Sequence, residues 1–167
     1  MNEYFPMFFN MKGKAVLIVG AGTIALRRIE TLLSFGASIT VAAPEWKEPI
    51  AGYRDSGQLR FLEQKYTPEL ISPEYFIVIA ATSDARLNHD ICVEGKRQGI
   101  LVNNASDKSQ CDFYFPAIVR QGDIVAGVCA DGKNHRLVRA AAAQMRTWLK
   151  QFLAGYEIEC EKQEGEK

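Results

Sequence analysis

One segment near the amino terminus constrains the fold more than any other. Ala15-Val-Leu-Ile-Val-Gly20-Ala-Gly22-Thr-Ile-Ala25 is a short apolar run that stops at a glycine pair and passes directly into a helical pattern. A β-strand entering a helix through a turn of the form G-x-G-x-x-A is the fingerprint of a dinucleotide-binding crossover. Gly20 permits the sharp turn off the strand, Gly22 leaves bare backbone for a diphosphate to approach, and Ala25 lets the helix pack close to the strand. The first helical turn then presents N–H groups and the positive end of the helix dipole to the phosphates. On its own the pattern also fits a tight turn of an ordinary α/β domain, so the rest of the chain has to supply the context.

That context is an alternation of short apolar runs with amphipathic stretches. Residues 14–19 read as a buried strand and residues 23–35 as a helix with Ala25, Ile29, Leu32, Leu33 and Gly36 on one face. Ser38–Ala43 reads as a second strand, stopped by Pro44. A Gly- and Pro-containing stretch to Gly57 reads as loop with at most a short helix, and Leu59–Glu63 as a third, shorter strand. Phe76–Ala80 is the fourth strand. Asp84 is placed to cap a helix carrying Leu87, Ile91, Cys92 and Gly95 inward, and Ile100–Asn103 is the fifth strand. Strands alternating with helices predict an α/β fold, a Rossmann-like doubly wound parallel sheet with right-handed crossovers.

The pattern changes after residue 112. Phe113–Arg120 and Ile124–Val128 are extended runs around Gln121-Gly122-Asp123, which reads as a hairpin, and a long helix is expected over 134–153. The predicted organisation is therefore a nucleotide-binding domain (1–112), a hairpin-plus-helix region (113–153) and an acidic, frayed tail (154–167). A lone hairpin is marginally stable, so a homodimer in which it pairs with a second copy is expected.

The 167 residues suit one domain with a small appendage, and an apolar content of 47% is enough for a real core. Lys+Arg and Asp+Glu balance at 20 each, which gives no general case for nucleic acid or an anionic membrane. No apolar run approaches the roughly 18 residues that span a bilayer, and the acidic, short amino-terminal stretch does not read as a signal peptide. Cys92, Cys111, Cys129 and Cys160 are scattered, as expected of reduced thiols in a cytoplasmic protein. With only His89 and His135, no metal site is expected.

In open α/β sheets, ligands bind beyond the carboxyl ends of the strands. The cofactor contacts expected there are Gly20, Gly22, Thr23 and Ile24 in the first loop; Ala43, Pro44 and Glu45 in the second; Ala81 and Thr82 in the fourth; and Asn103 in the fifth. An NAD site commonly carries an acid at the end of the second strand for the ribose hydroxyls. Here that strand ends in Ala42-Ala43, with Glu45 past the proline and no arginine for a 2′-phosphate, so the choice between NAD and NADP stays open at this point. Asp107 and Asp112 flank a turn beside the fifth strand, and either is a candidate general base; a solvated or capping carboxylate is the competing role. His89 is expected on the surface and His135 as a possible ligand contact. Tyr114 and the neighbouring phenylalanines are expected to pack the hairpin.

On the long helix, Leu137, Val138, Ala141, Met145, Trp148, Leu149 and Phe152 share one side, while Arg136, Arg139, Arg146 and Lys150 cluster nearly opposite. Lys133 precedes them, and no acid occurs between Asp131 and Glu157. A one-sign face on a neutral chain suits a polyanionic small ligand, with a solvated helix face as the alternative.

Taken in order, these segments resemble a known family. Tyr4-Phe-Pro-Met-Phe-Phe-Asn-Met-Lys-Gly-Lys14 is similar to the lead-in of the precorrin-2 dehydrogenases, which also form the amino-terminal module of siroheme synthases. The likeness continues through Val19–Arg28, Gly36–Pro44, Ile79–Asp84, Gly99–Asn104 and Cys111–Ala117, spanning about residues 4–150. It implies NAD-dependent oxidation of precorrin-2 to sirohydrochlorin, with iron insertion (ferrochelatase activity) in some members, and a dimer built through the carboxyl-terminal part. The tetrapyrrole substrate carries eight carboxylates, which suits the basic helix, with Lys133, Arg136 and Arg139 as its expected contacts. The family's V-N-x-x-D aspartate falls at Ser106, and Asp107, one place later, is the residue expected to take over catalysis. The usual S-T-G-G-K-S-P segment reads Cys129–His135, where only Gly132 and Lys133 fit. The chain ends soon after the long helix, so part of the tetrapyrrole cleft of longer members is expected to be missing. Ser106 and this ending favour the competing reading, a non-catalytic nucleotide- or tetrapyrrole-binding sensor or carrier.

Overall fold

A computed structural model of the chain describes residues 5–46, 48–130 and 134–165, with side chains to Tyr156. The elements are β1 (Ala15–Val19), α1 (Thr23–Leu33), β2 (Ser38–Ala43), α2 (Ile50–Asp55), β3 (Leu59–Glu63), β4 (Ile77–Ala80), α3 (Ala85–Arg97), β5 (Leu101–Asn104), β6 (Ala117–Gln121), β7 (Ile124–Val128) and α4 (His135–Gly165). Short 3₁₀ turns occupy Pro68–Leu70 and Lys108–Gln110. They fall into two compact units, residues 7–113 and residues 114 onward with Phe5 and Pro6.

The first unit is a five-stranded sheet of order β3-β2-β1-β4-β5, parallel throughout. Crossovers run outward from β1 in both directions, so the switch point lies between β1 and β4, where such sheets open a crevice for ligands. The strands read as near-continuous apolar runs because helices cover the sheet. Val16, Leu17, Ile18, Val41, Val78, Ile79 and Val102 have no exposed surface. Leu17, Val19, Val78, Ile91, Cys92 and Val102 belong to one continuous core cluster beneath α3.

Local chemistry explains the ends of the elements. α1 stops where Gly36 takes a positive φ of 76° and the Ala37 N–H turns back to the Leu32 carbonyl. Gly36 is thereby exposed rather than facing inward as its helical spacing predicted. α3 starts at Asp84, whose carboxylate accepts from the N–H groups of Arg86 (2.8 Å) and Leu87 (3.2 Å). α3 packs so closely on the sheet that a Cβ at Gly95 would lie 2.6 Å from Val102 Cγ1.

The second unit is an antiparallel β6–β7 hairpin with α4 against it. β6 begins at Ala117, not at Phe113, because Pro116 has no N–H to offer a ladder. Asn134 caps α4, its Oδ1 accepting the Leu137 N–H at 2.9 Å. α4 runs well past residue 153 to Gly165, through the stretch expected to fray. Its apolar side divides in two. Ala142, Leu149, Met145 and Leu153 pack on the hairpin around Val119, whereas Leu137, Trp148 and Phe152 are left about half or more exposed. The hairpin thus finds its apolar partner within its own chain.

Candidate functional site

The parallel register brings the carboxyl ends of four strands to one edge: Val19 pairs with both Ala42 and Ala80, and Ala80 with Asn104. The turn after β1 lies directly against the loop after β4. Gly20 has a φ of 110°, and a Cβ there would stand 2.3 Å from the Ala81 carbonyl oxygen and 2.9 Å from the Thr82 nitrogen. No side chain but hydrogen could occupy that position. Gly22 is the opposite case, since a Cβ would meet nothing within 4 Å. Gly22 is also the N-cap of α1; no side chain caps the helix and its first turn holds no acid. Its leading N–H groups therefore face open space with their dipole uncompensated, which suits a diphosphate. These residues fit a dinucleotide.

The other expected cofactor contacts divide by location. Thr23, Ile24, Pro44 and Glu45 are exposed around this edge, and Ala43 and Ala81 are buried in its floor. The Thr82 hydroxyl is already engaged, lying 2.7 Å from Asn88 Oδ1 and accepting the Asp84 N–H at 3.2 Å. Asn103 is buried, and its amide donates to the Phe113 carbonyl at 2.9 Å and lies 3.5 Å from Cys111 Sγ, so its side chain secures the loop after β5. Trp46, beyond Glu45, packs edge-on against Phe61 and under the Arg54 guanidinium, anchoring the loop after β2.

Both candidate carboxylates have structural duties. Asp107 caps the Lys108–Gln110 turn: Oδ1 accepts from the Ser109 N–H (2.9 Å) and hydroxyl (2.7 Å), and Oδ2 from the Gln110 amide (2.9 Å). These bonds, led by that from the Ser109 side chain, hold its pKa below the usual aspartate value. It is a half-buried, firmly ionised group. Asp112 serves the edge of β5, accepting the Val102 N–H at 2.9 Å and pairing with Lys96 at 3.4 Å. Its carboxylate mimics a neighbouring strand.

Asn88 was not among the expected site residues. It is completely buried in α3, and its amide joins the loops after β4 and β5. Its helical position matched the apolar inner face, and its polarity there was the available signal. His89, next to it, is exposed, as expected.

On α4, His135, Arg136, Arg139 and Ala140 line an open depression. Lys133 lies outside the described residues. Arg146 does not extend the row, because its guanidinium donates to the Ile118 carbonyl at 3.0 Å and ties α4 to β6. It sits next to the buried stripe of the helix, within reach of the hairpin backbone. Lys150 is exposed. Phe113, Tyr114 and Phe115 are half-buried. No helix among the described residues is long and apolar enough to cross a membrane.

This geometry agrees with what the chain resembles. A family model described as "Putative NAD(P)-binding" matches residues 7–117. Among solved structures, "SirC, precorrin-2 dehydrogenase" is 29% identical, with a TM-score of 0.71 over 92% of this chain and 78% of that one. The "Probable multifunctional siroheme biosynthesis protein HemA" of Ruminiclostridium josui is 41% identical over 143 residues, 85% of this chain and 28% of that protein. "Siroheme synthase 1" of Pectobacterium atrosepticum is 36% identical over 147 residues, 88% of this chain and 30% of that protein. The chain thus spans about three-tenths of the length of these curated relatives. With a fingerprint turn that only glycine can close and a family match over most of its length, the chain belongs to this NAD(P)-binding family.

Proposed function

We propose that this chain is an NAD-dependent oxidoreductase that dehydrogenates precorrin-2 to sirohydrochlorin in siroheme biosynthesis, in the cytoplasm. The observation that carries the reading is the extent of the likeness to a precorrin-2 dehydrogenase. It covers 92% of this chain and so takes in the hairpin and α4 as well as the sheet. A nucleotide-binding unit by itself would support a dehydrogenase of any substrate.

In this reaction the macrocycle loses a hydride and a proton, and the products are sirohydrochlorin, NADH and H⁺. NAD, when bound, supplies the hydride acceptor. The chain's own residues do the rest. The N–H groups of the first turn of α1 and the backbone of Gly20 and Gly22 receive the diphosphate, and Ala43, Pro44 and Glu45 border the adenosine. Arg136 and Arg139, with Lys133, hold substrate carboxylates through charge-assisted hydrogen bonds. Asp107 is the candidate proton acceptor, its carboxylate fixed in place by the bonds from Ser109 and Gln110. Two copies associate through the exposed Trp148–Phe152 stripe of α4.

Mixing the protein with precorrin-2 and NAD⁺ tests this directly through the rise of NADH absorbance. Asp107→Asn is expected to slow turnover about a hundredfold, the size of a general-base contribution. Unchanged turnover would remove Asp107 from the chemistry. The engagement of Asp107, together with Ser106 beside it, favours the second reading, a binding module without catalysis. NAD⁺ binding with no NADH formed would select that reading. Ferrous iron added to sirohydrochlorin tests ferrochelatase activity separately.

A further inference from the structure

Asn88 is a fully buried polar side chain on the core-facing side of α3. A buried amide is costly unless its hydrogen-bonding groups are satisfied, and here they are satisfied across two loops. Oδ1 accepts the Thr82 N–H at 3.0 Å and the Thr82 hydroxyl at 2.7 Å. Nδ2 donates to the Thr82 carbonyl at 3.2 Å and to Ser106 Oγ at 3.0 Å. The Ser106 hydroxyl passes the chain on, donating to Asn104 Oδ1 at 2.7 Å. That oxygen also accepts the N–H groups of Ser106 (2.9 Å) and Asp107 (3.2 Å). Asn104 Nδ2 donates to Gln110, whose amide returns to Asp107 Oδ2.

An amide whose sole task was to satisfy its own polarity could bond within one turn. This one holds both the N–H and the carbonyl of Thr82, so the peptide unit between Ala81 and Thr82 and the one that follows it are both tied to the same side chain. That segment is the wall against which Gly20 turns. The same side chain reaches the loop that carries Asp107. We propose that Asn88 is a positioning residue that locks the loops after β4 and β5 together, so that the wall receiving the cofactor and the segment carrying Asp107 are held in one geometry. The role rests on the cofactor reading above.

The test uses the full chain, NAD⁺ titrations by calorimetry and thermal melts, with Asn88→Asp, Ser106→Ala and the double variant. Asn88→Asp is nearly isosteric, yet it removes the donor and sets a carboxylate against the Thr82 carbonyl. It is expected to weaken NAD⁺ binding about tenfold at pH 8, the size of one or two displaced hydrogen bonds. Lowering the pH should restore affinity in this variant and not in the wild type, because the introduced carboxyl regains a donor on protonation. Ser106→Ala is expected to weaken binding about threefold and to add nothing in the Asn88→Asp background, since coupled residues are non-additive. A lower Tm with NAD⁺ affinity unchanged would make Asn88 purely structural and overturn the proposal. So would additive effects. Ser106 is exposed, so its variant carries the test even where Asn88→Asp does not fold: unchanged affinity in Ser106→Ala breaks the bridge. A wild-type protein that binds no NAD⁺ would remove the cofactor reading itself, and this role with it.

Discussion

The two glycines of the fingerprint turn should fail in different ways when changed to alanine. At Gly20 the added Cβ would stand 2.3 Å from the Ala81 carbonyl oxygen, and ordinary contact begins near 3.4 Å. The loop after β4 would have to move by about 1 Å in a close-packed interior. It is not free to do so, because the Ala81 N–H is bonded to the Val19 carbonyl at 2.8 Å and Thr82 is held by Asn88. The φ of 110° adds a backbone cost of about 1–2 kcal/mol for any L-residue, and overpacking adds about 1–3 kcal/mol. Gly20→Ala should therefore lose about 2–5 kcal/mol, a large share of the 5–15 kcal/mol typical of a domain, with Tm lower by about 5–15 °C. At Gly22, φ is −88° and a Cβ meets nothing. Gly22→Ala should stay within about 1 kcal/mol of wild type and lose NAD⁺ affinity about tenfold or more, because its methyl fills the approach to the helix N-terminus. Urea unfolding and calorimetric NAD⁺ titration of both variants separate the effects. Wild-type stability in Gly20→Ala, or wild-type affinity in Gly22→Ala, would refute the reasoning.

Gly95→Ala should lower Tm although alanine gains about 1 kcal/mol of helix propensity, since its Cβ would press on Val102 Cγ1 at 2.6 Å; a rise in Tm would contradict that contact. The Glu94 carboxyl is pulled down to about 2 by hydrogen bonds from Arg97 and Gln98. A depressed folded-state pKa stabilises above the unfolded value and is lost as pH falls through the folded one. The Tm gap between wild type and Glu94→Gln should therefore be full above pH 4.5 and vanish toward pH 2, as melts across that range would report. Trp148→Asp, at a side chain 59% exposed, tests the proposed association through that stripe: the variant should sediment at half the mass of the associated wild type and melt lower by whatever the association contributes. A variant with unchanged mass in solution would refute association through that stripe.

Much of the first unit was legible because burial leaves a one-dimensional record. All five sheet strands lie within a residue of their expected bounds. The glycine turn, the Asp84 cap and the stop after Gly36 are local chemistry, decided within a few residues of themselves. The crevice followed as well, since parallel order and crossover handedness place it with little freedom.

What the tertiary structure alone decided is which polar groups are also bonded within the fold. Asp107, Asp112, Asn103 and Arg146 each looked available for ligand or catalysis, and each has partners in the fold. The apolar side of α4 read as one face and divides into a packed stripe and an exposed one, because the width of the hairpin sets how much of it can be covered. Periodicity reports which side of a helix is apolar, but not how broad its partner is. The Asn88–Ser106 bond spans eighteen residues of sequence. Nothing local to either residue specifies the other, and they meet only because β4 and β5 are neighbours in the sheet and α3 lies across them.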